Sequence, residues 1–463
     1  LSAAHNPLST FAIDVDRASY ANVRRILREG RLPPADAVRV EELINYFPYA
    51  DPAPEGDDPL AARAEIGRAP WNPQHLLVRV SLRARPVETE ALPPSNLVFL
   101  VDVSGSMQSP DKLPLLKRAL ALLVDQLRPQ DRVAIVVYAG AAGVVLESTP
   151  GSDRATILEA LGRLEAGGST AGAAGIELAY AVARRNRIEG GNNRVILATD
   201  GDFNVGPSSE GELIRLIERR RAEGTFLTVL GFGTGNLQDA KMEQLADHGN
   251  GNFAYIDGLL EARKVLVSEM GGTLHTVAKD VKLQVEFNPA LVRAYRLIGY
   301  ENRMLAAEDF ADDRKDGGEM GAGHTVTALY ELVPTWIEPD VTVGTVDSLR
   351  YRAPGEARGD TDELLFVKLR YKQPDAERSV LRTFAVEAPA GPDAVGQGSD
   401  DLRFAAAVAG FGMLLRGSPY CDWTLTAAAA LAQGARGDDP GGHRAAFVEM
   451  VRQAARLADQ ETG

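Results

Sequence analysis

Five consecutive apolar residues, 97–101, run directly into Asp102, Ser104 and Ser106. An apolar run without alternation is the pattern of a strand buried on both faces, as in the parallel sheets of α/β proteins. Three oxygen-bearing side chains therefore emerge together at that strand's C-terminal end, the edge at which open α/β sheets bind ligands. The spacing Asp-x-Ser-x-Ser suits a hard divalent cation. Alternate residues of a tight loop can point their oxygens at one centre, and Gly105 lets the backbone turn closely. One carboxylate and two hydroxyls are too few ligands, so the rest must come from elsewhere in the chain.

Strands and helices alternate from residue 95 to about 276, the signature of a sheet covered on both faces. Buried strands are expected at 97–101, 133–138, 195–198 and 226–230, with shorter flanking strands at 143–146 and 252–256. Helices are expected between them at 112–127, 155–164, 173–186, 212–223, 237–247 and 259–274. Outside this region the period changes. Val78, Val80 and Leu82 alternate with Arg79, Ser81 and Arg83, which predicts a half-exposed antiparallel strand. After Lys279, alternation by two returns at 281–287, 291–298, 326–333, 364–371 and 380–386, between Gly, Pro and Asp clusters, and suggests a β-sandwich. The strand at 76–83 lacks partners near it in sequence and is expected to pair with these later strands.

The predicted fold class is therefore α/β: a doubly wound, mainly parallel six-stranded sheet inserted in an antiparallel β-sandwich, with N-terminal and C-terminal helical segments. The corresponding division is a strand-helix segment at 1–60, first sandwich strands at 61–94, the α/β domain at 95–276, the sandwich at 277–390 and a helical region at 391–463. The N-terminal segment reads as a strand at 11–15, a helix at 19–29 stopped by Gly30 and Pro33-Pro34, and a second helix from Ala35. Asp14 and Asp16 resemble the central loop in composition, but Asp16 is read as a helix cap. The polar, Gly-rich stretch 306–323 reads as a mobile loop.

Composition narrows the functional classes. A formal charge of −14 over 463 residues argues against a nucleic-acid surface, which needs a basic footprint. Cys421 is the only cysteine, so there is neither an intrachain disulfide nor a cysteine metal site. No apolar run approaches the roughly 18 residues that span a bilayer.

Two further loops are expected at the same sheet edge. Gly167-Gly168-Ser169-Thr170 precedes the helix near Ala173, and Thr199-Asp200-Gly201 ends the strand at 195–198. Asp102, Ser104, Ser106, Thr170 and Asp200 would then supply three hydroxyls and two carboxylates around one point. Mg²⁺ keeps near-octahedral geometry and retains waters, so such a set leaves an open, electrophilic position that an acidic side chain can fill.

These five residues resemble the metal-ion-dependent adhesion site of the von Willebrand factor type A domain, position by position. The resemblance implies direct binding of Mg²⁺ by Ser104 and Ser106, binding by Thr170 directly or through water, and binding by Asp102 and Asp200 largely through waters. Mn²⁺ or Ca²⁺ are the alternative metals. Residues 9–16 (STFAIDVD), 41–47 (EELINYF) and 322–331 (AGHTVTALYE) extend the similarity to bacterial von Willebrand factor type A lipoproteins of the YfbK-like group. That resemblance implies a cell-envelope location through a lipid anchor, removed at a trimmed start at Leu1. The expected function is a non-enzymatic module binding an Asp or Glu of a partner protein, with no nucleic-acid partner.

Two rival readings use the same loop. A phosphatase of the haloacid type would need an acidic residue two positions after Asp102, where Ser104 stands, and none of the histidines His5, His75, His248, His275, His324 and His443 adjoins a nucleophile elbow. A structural scaffold would cap its own metal, with the acidic stretch 308–316 as a source of carboxylates. The glycines of 231–235 hint at a dinucleotide loop, but Asn236 occupies the last glycine position and a turn is the expected reading.

Overall fold

The computed structural model describes the chain except for residues 14–17, 170–171, 202–209, 234–238, 270–271, 273–274, 302, 314, 316, 339–360 and 463. The chain divides into two compact units, one of residues 1–86 together with 276–463 and one of residues 87–275. Asp14 and Asp16 lie outside the described residues.

The first unit begins with β1 (Leu8–Ala12), α1 (Ala18–Arg28), α2 (Val40–Asn45), β2 (Leu60–Ala69) and β3 (Asn72–Ala84). The strand expected at 76–83 is one arm of a hairpin, β2 pairing antiparallel with β3 from Leu60↔Ala84 to Ala69↔Asn72. Nor is β3 half-exposed. Arg79 and Ser81 are as buried as Val78 and Val80, because Asp51 takes up their polarity. Its carboxylate accepts from the Arg79 guanidinium and, at 2.8 Å, from the Ser81 hydroxyl, while Arg83 donates to its backbone carbonyl at 2.5 Å. A polar face read from alternation alone is here a covered face with internal partners.

The second unit holds β4 (Ser95–Asp102), α3 (Leu113–Val124), β5 (Arg132–Tyr138), β6 (Ala142–Pro150), α4 (Arg154–Gly162), α5 (Gly172–Arg185), β7 (Asn192–Thr199), α6 (Glu210–Ala222), β8 (Thr225–Phe232), α7 (Asp239–His248), β9 (Phe253–Ile256) and α8 (Leu259–Arg263). Strand order is β6-β5-β4-β7-β8-β9, parallel throughout except for the antiparallel β5–β6 pair. Every residue of β4 and of β7 is buried, as an unalternating apolar run requires. Leu97, Phe99 and Val101 pack on α3 and α4 through Leu116, Leu120 and Ile157 in one core cluster. The entry to β4 is pinned from below. Arg128 donates to the carbonyls of Thr89, Leu92 and Pro93, each at 2.7 Å, and Asp131 accepts from the Ser95 amide at 2.8 Å. Within the expected helix at 259–274, α8 passes into a π-turn at Lys264–Ser268 closed by the Glu269 amide on the Lys264 carbonyl, and residues 270–271 and 273–274 lie outside the described residues.

Back in the first unit follow β10 (Thr276–Phe287), β11 (Val292–Ile298), β12 (Met320–Gly321), β13 (Thr325–Pro334), β14 (Glu363–Lys372) and β15 (Val380–Glu387), then helices Asp400–Leu415, Leu425–Gly434 and His443–Thr462. One sheet has the order β1-β10-β14-β15 and the other β11-β13-β3-β2. β13 pairs with β3 over Thr325↔Arg83 to Leu332↔Leu76, so strands on either side of the second unit in sequence share a sheet. Between the two sheets Phe287 stacks on Tyr295 at 3.8 Å, and Phe11 meets Tyr300 at 4.9 Å. The N-terminal segment does not stand apart, since β1 is a strand of the sandwich. On the outer face of β13 and β3, Leu329 and Leu77 join one core with α1, α2 and the C-terminal helices.

The stretch 306–323 is anchored where a mobile loop is expected. Lys282 donates to the Asp312 carbonyl at 2.8 Å, Lys372 to that of Asp313 at 2.7 Å, and the Gly317 amide to Asp280 at 3.1 Å. Two of its acidic side chains have partners, Asp309 with Lys315 at 3.8 Å and Asp313 with the Ser379 amide at 3.4 Å. Cys421 is buried, which pushes its thiol up to about 11, the state of an unreactive core cysteine.

Candidate metal centre

The C-terminal ends of β4 and β7 lie side by side, with Val101 opposite Ala198 in the parallel register. Asp102 and Thr199 therefore meet one residue further on, the Thr199 hydroxyl donating to Asp102 Oδ2 at 3.3 Å. The Gly201 amide donates back to Thr199 Oγ1 at 3.2 Å, which closes the turn that carries Asp200. Gly201 has φ of +100°, a conformation that a side chain would strain.

After β4 the chain makes a tight loop. The Ser104 amide donates to Asp102 Oδ1 at 2.9 Å, and a 3₁₀ turn at Gly105–Gln108 follows. Met107 is fully buried in the core below and holds that turn down. This folding brings Ser104 Oγ to 2.9 Å from Ser106 Oγ, Ser104 buried and Ser106 exposed. The loop after α4 is fastened alongside by two backbone bonds, Gly105 N–H to the Gly168 carbonyl at 3.0 Å and Gly167 N–H to the Val103 carbonyl at 2.7 Å. Thr170 lies outside the described residues. Of the five expected ligands, Asp102, Ser104, Ser106 and Asp200 are thus gathered at one sheet edge.

Two carboxylates meet at this edge, both out of solvent. Asp102 is fully buried and Asp200 nearly so. Burial pushes the Asp102 carboxyl above the ordinary carboxylate range. Donation from Ser104 opposes that shift, and the neighbouring charge of Asp200 adds to it. Burial likewise raises the Tyr138 hydroxyl well above its usual range, with the Asp102 charge next in weight. The donors on Asp102 are neutral hydroxyl and amide groups, which orient the carboxylate without cancelling its charge. Hydroxyls on a tight loop beside two buried carboxylates are hard oxygen donors, and they fit a small divalent cation.

Sequence reasoning missed one residue of this site. Lys112 Nζ lies 2.8 Å from Asp200 Oδ2. The signal available was the glycine-rich run after β8. Gly233, with φ of +81°, is where the Lys112 stem crosses, and a Cβ there would fall 2.4 Å from Lys112 Cε. That run is a passage for a lysine in its described part; residues 234–236 lie outside the described residues.

Three family descriptions match this chain. The von Willebrand factor type A domain covers residues 97–202, "Uncharacterized protein YfbK, C-terminal" covers residues 272–457, and "von Willebrand factor" covers residues 1–79. An Escherichia coli (strain K12) protein described as "Uncharacterized protein YfbK" is 47% identical over 98% of this chain and 79% of that protein. This chain belongs to the YfbK family. A Synechocystis protein, "Uncharacterized protein sll0103", is 30% identical over 40% of this chain and 43% of its own length. Among solved structures, "von Willebrand factor type A from Catenulispora acidiphila" is 18% identical and covers 88% of this chain and 91% of that one, with a TM-score of 0.43. Within the family's type A domain match fall the β4 loop, the 167–170 loop and the β7 end described above. A domain of this kind suggests a protein-interaction module. Among the described residues no helix is long and apolar enough to cross a membrane.

Proposed function

We propose that this member of the YfbK family is a metal-dependent protein-binding module and not an enzyme. In this reading Asp102, Ser104, Ser106, Thr170 and Asp200 hold one divalent cation, Mg²⁺ first and Mn²⁺ or Ca²⁺ as alternatives. The cation keeps one position open for an Asp or Glu carboxylate of a partner. One observation carries the proposal: two hydroxyls 2.9 Å apart stand beside a buried carboxylate whose donors are neutral, at the C-terminal edge of a parallel sheet. The acyl-phosphate alternative would use Asp102 as nucleophile with a second acid two residues on, and the group there is the Ser104 hydroxyl shared with Ser106.

Titration calorimetry of chelator-treated protein with Mg²⁺ tests the metal, wild type giving a saturable heat and Asp102→Ala none. Equal, absent heats in both would sink it. Pull-downs with and without chelator then test the partner, and capture that ignores the chelator would refute a metal-bridged contact. Turnover of a phosphate ester, lost in Ser106→Ala, would instead favour the enzyme. An envelope location through a lipid anchor is part of the proposal, on the strength of the family resemblance. Fractionation of cells expressing the full-length gene product tests it.

A further inference from the structure

Resting on the metal reading of the site, we propose that Lys112 is a resident competitor of the divalent cation, its ammonium balancing Asp200 in the metal-free protein and setting how tightly the cation binds. Two features separate Lys112 from a surface lysine that has found a carboxylate. First, its side chain is only 17% exposed and Asp200's only 3%, so the contact is held away from screening solvent. Second, its path is built. The stem crosses Gly233 so closely that a Cβ there would come within 2.4 Å of Cε, 2.6 Å of Cγ and 2.9 Å of Cδ. The Gly233 carbonyl is itself tied from β9 by the Tyr255 hydroxyl at 2.6 Å. Lys112 also stands immediately before α3, with its carbonyl accepting from the Leu116 amide at 2.8 Å, so its backbone is fixed by that helix.

Charge arithmetic gives the consequence. Asp102 and Asp200 are two buried negative charges side by side, and leaving both without a cation is unfavourable. Lys112 supplies one positive charge on the Asp200 side. A divalent cation arriving between the same carboxylates must then displace that ammonium from Asp200 or bind against its repulsion. Either route weakens binding by roughly 10- to 100-fold at the short range and partial burial of this site. The same lysine lets the unit fold and persist without metal, so occupancy follows cation concentration and is not a condition of folding.

The test uses the full chain, stripped with chelator, and three variants: Lys112→Met, Lys112→Gln and Lys112→Arg. Mg²⁺ and Mn²⁺ are titrated by calorimetry, and melting temperatures are read with and without saturating Mg²⁺. The two neutral variants should bind cation roughly 10- to 100-fold more tightly than wild type, and Lys112→Arg should stay near wild type. Without metal the neutral variants should melt lower than wild type and gain more from Mg²⁺. Equal or weaker binding by both neutral variants, with wild-type binding intact, overturns this inference and leaves the metal reading standing. No binding by any of the four proteins overturns both. Lys112→Gln can still donate to Asp200 and keeps the comparison available if Lys112→Met does not fold.

Discussion

His75 Nδ1 lies 2.6 Å from Glu331 Oε1, both side chains buried, and Arg296 Nε approaches the other carboxylate oxygen at 2.7 Å. Three neighbouring strands, β3, β13 and β11, thus direct one carboxylate and its two partners to a single point under the C-terminal helices. Burial alone would raise the Glu331 carboxyl, but the His75 bond and the Arg296 charge outweigh it and hold the group below the usual glutamate range. A depressed carboxylate stabilises the fold above its unfolded value, about 4.3, and that contribution is lost as pH falls through the lower folded value. Glu331→Gln should therefore cost about 1–3 kcal/mol at pH 7 and progressively less as the pH falls below about 4.3. Melting temperatures of both proteins across that range check this, and a gap independent of pH would refute it.

Asp51 balances buried charge in the first unit. Its carboxylate receives Arg79 and Ser81 on the covered face of β3. Asp51→Ala would take the nearer anion from a buried guanidinium and leave it Glu65 at 4.0 Å, and a loss of about 2–4 kcal/mol is expected. The double variant Asp51→Ala/Arg79→Leu should recover part of that loss, because no charge is then stranded. Denaturant unfolding of both decides, and equal losses would mean that the pair is not coupled.

Asn45 joins α2 to β13. Its side-chain amide donates to the Thr327 carbonyl at 3.0 Å and its oxygen accepts from the Thr327 amide at 2.7 Å. It thus repeats, from a helix, the pairing that a neighbouring strand would make. Asn45→Ala strands a buried N–H and should cost about 2–4 kcal/mol by chemical denaturation. Faster hydrogen exchange at Thr327 would mark the cause, and unchanged exchange would count against it.

Gly233→Ala should destabilise the second unit by about 1–3 kcal/mol, since the new methyl meets both a positive φ and the Lys112 stem. Shortening the lysine relieves only the steric part. In a double-mutant cycle with Lys112→Ala the two losses should therefore fall short of additive by about 1 kcal/mol. Strict additivity would show that the two residues do not press on each other.

Much of the second unit was legible in the sequence because its elements advertise themselves locally. Residues 97–101 need no knowledge of their neighbours to read as a doubly buried strand, and the same holds for 195–198 and the helices between. Asp102, Ser104 and Ser106 were legible for the same reason, because a strand end and a two-residue spacing put them on one loop. The half-exposed strand at 76–83 misled because alternation reports polarity and not burial: Arg79 and Ser81 alternate as surface residues do, yet Asp51 meets them inside. The stretch 306–323 misled because composition does not report backbone anchoring: Lys282 and Lys372 hold the carbonyls of Asp312 and Asp313.

What the sequence determined by itself is the set of periodic elements and the oxygen-rich loops at their ends, because periodicity and loop chemistry are properties of neighbouring residues. Only tertiary structure decided what balances the charges. Lys112 precedes Asp200 by 88 positions, Asp51 precedes Arg79 by 28, and His75 precedes Glu331 by 256. Nothing in local spacing encodes such pairs. They exist because charge and polarity taken out of water must find partners, and those partners are set by which strand ends and faces the fold brings together.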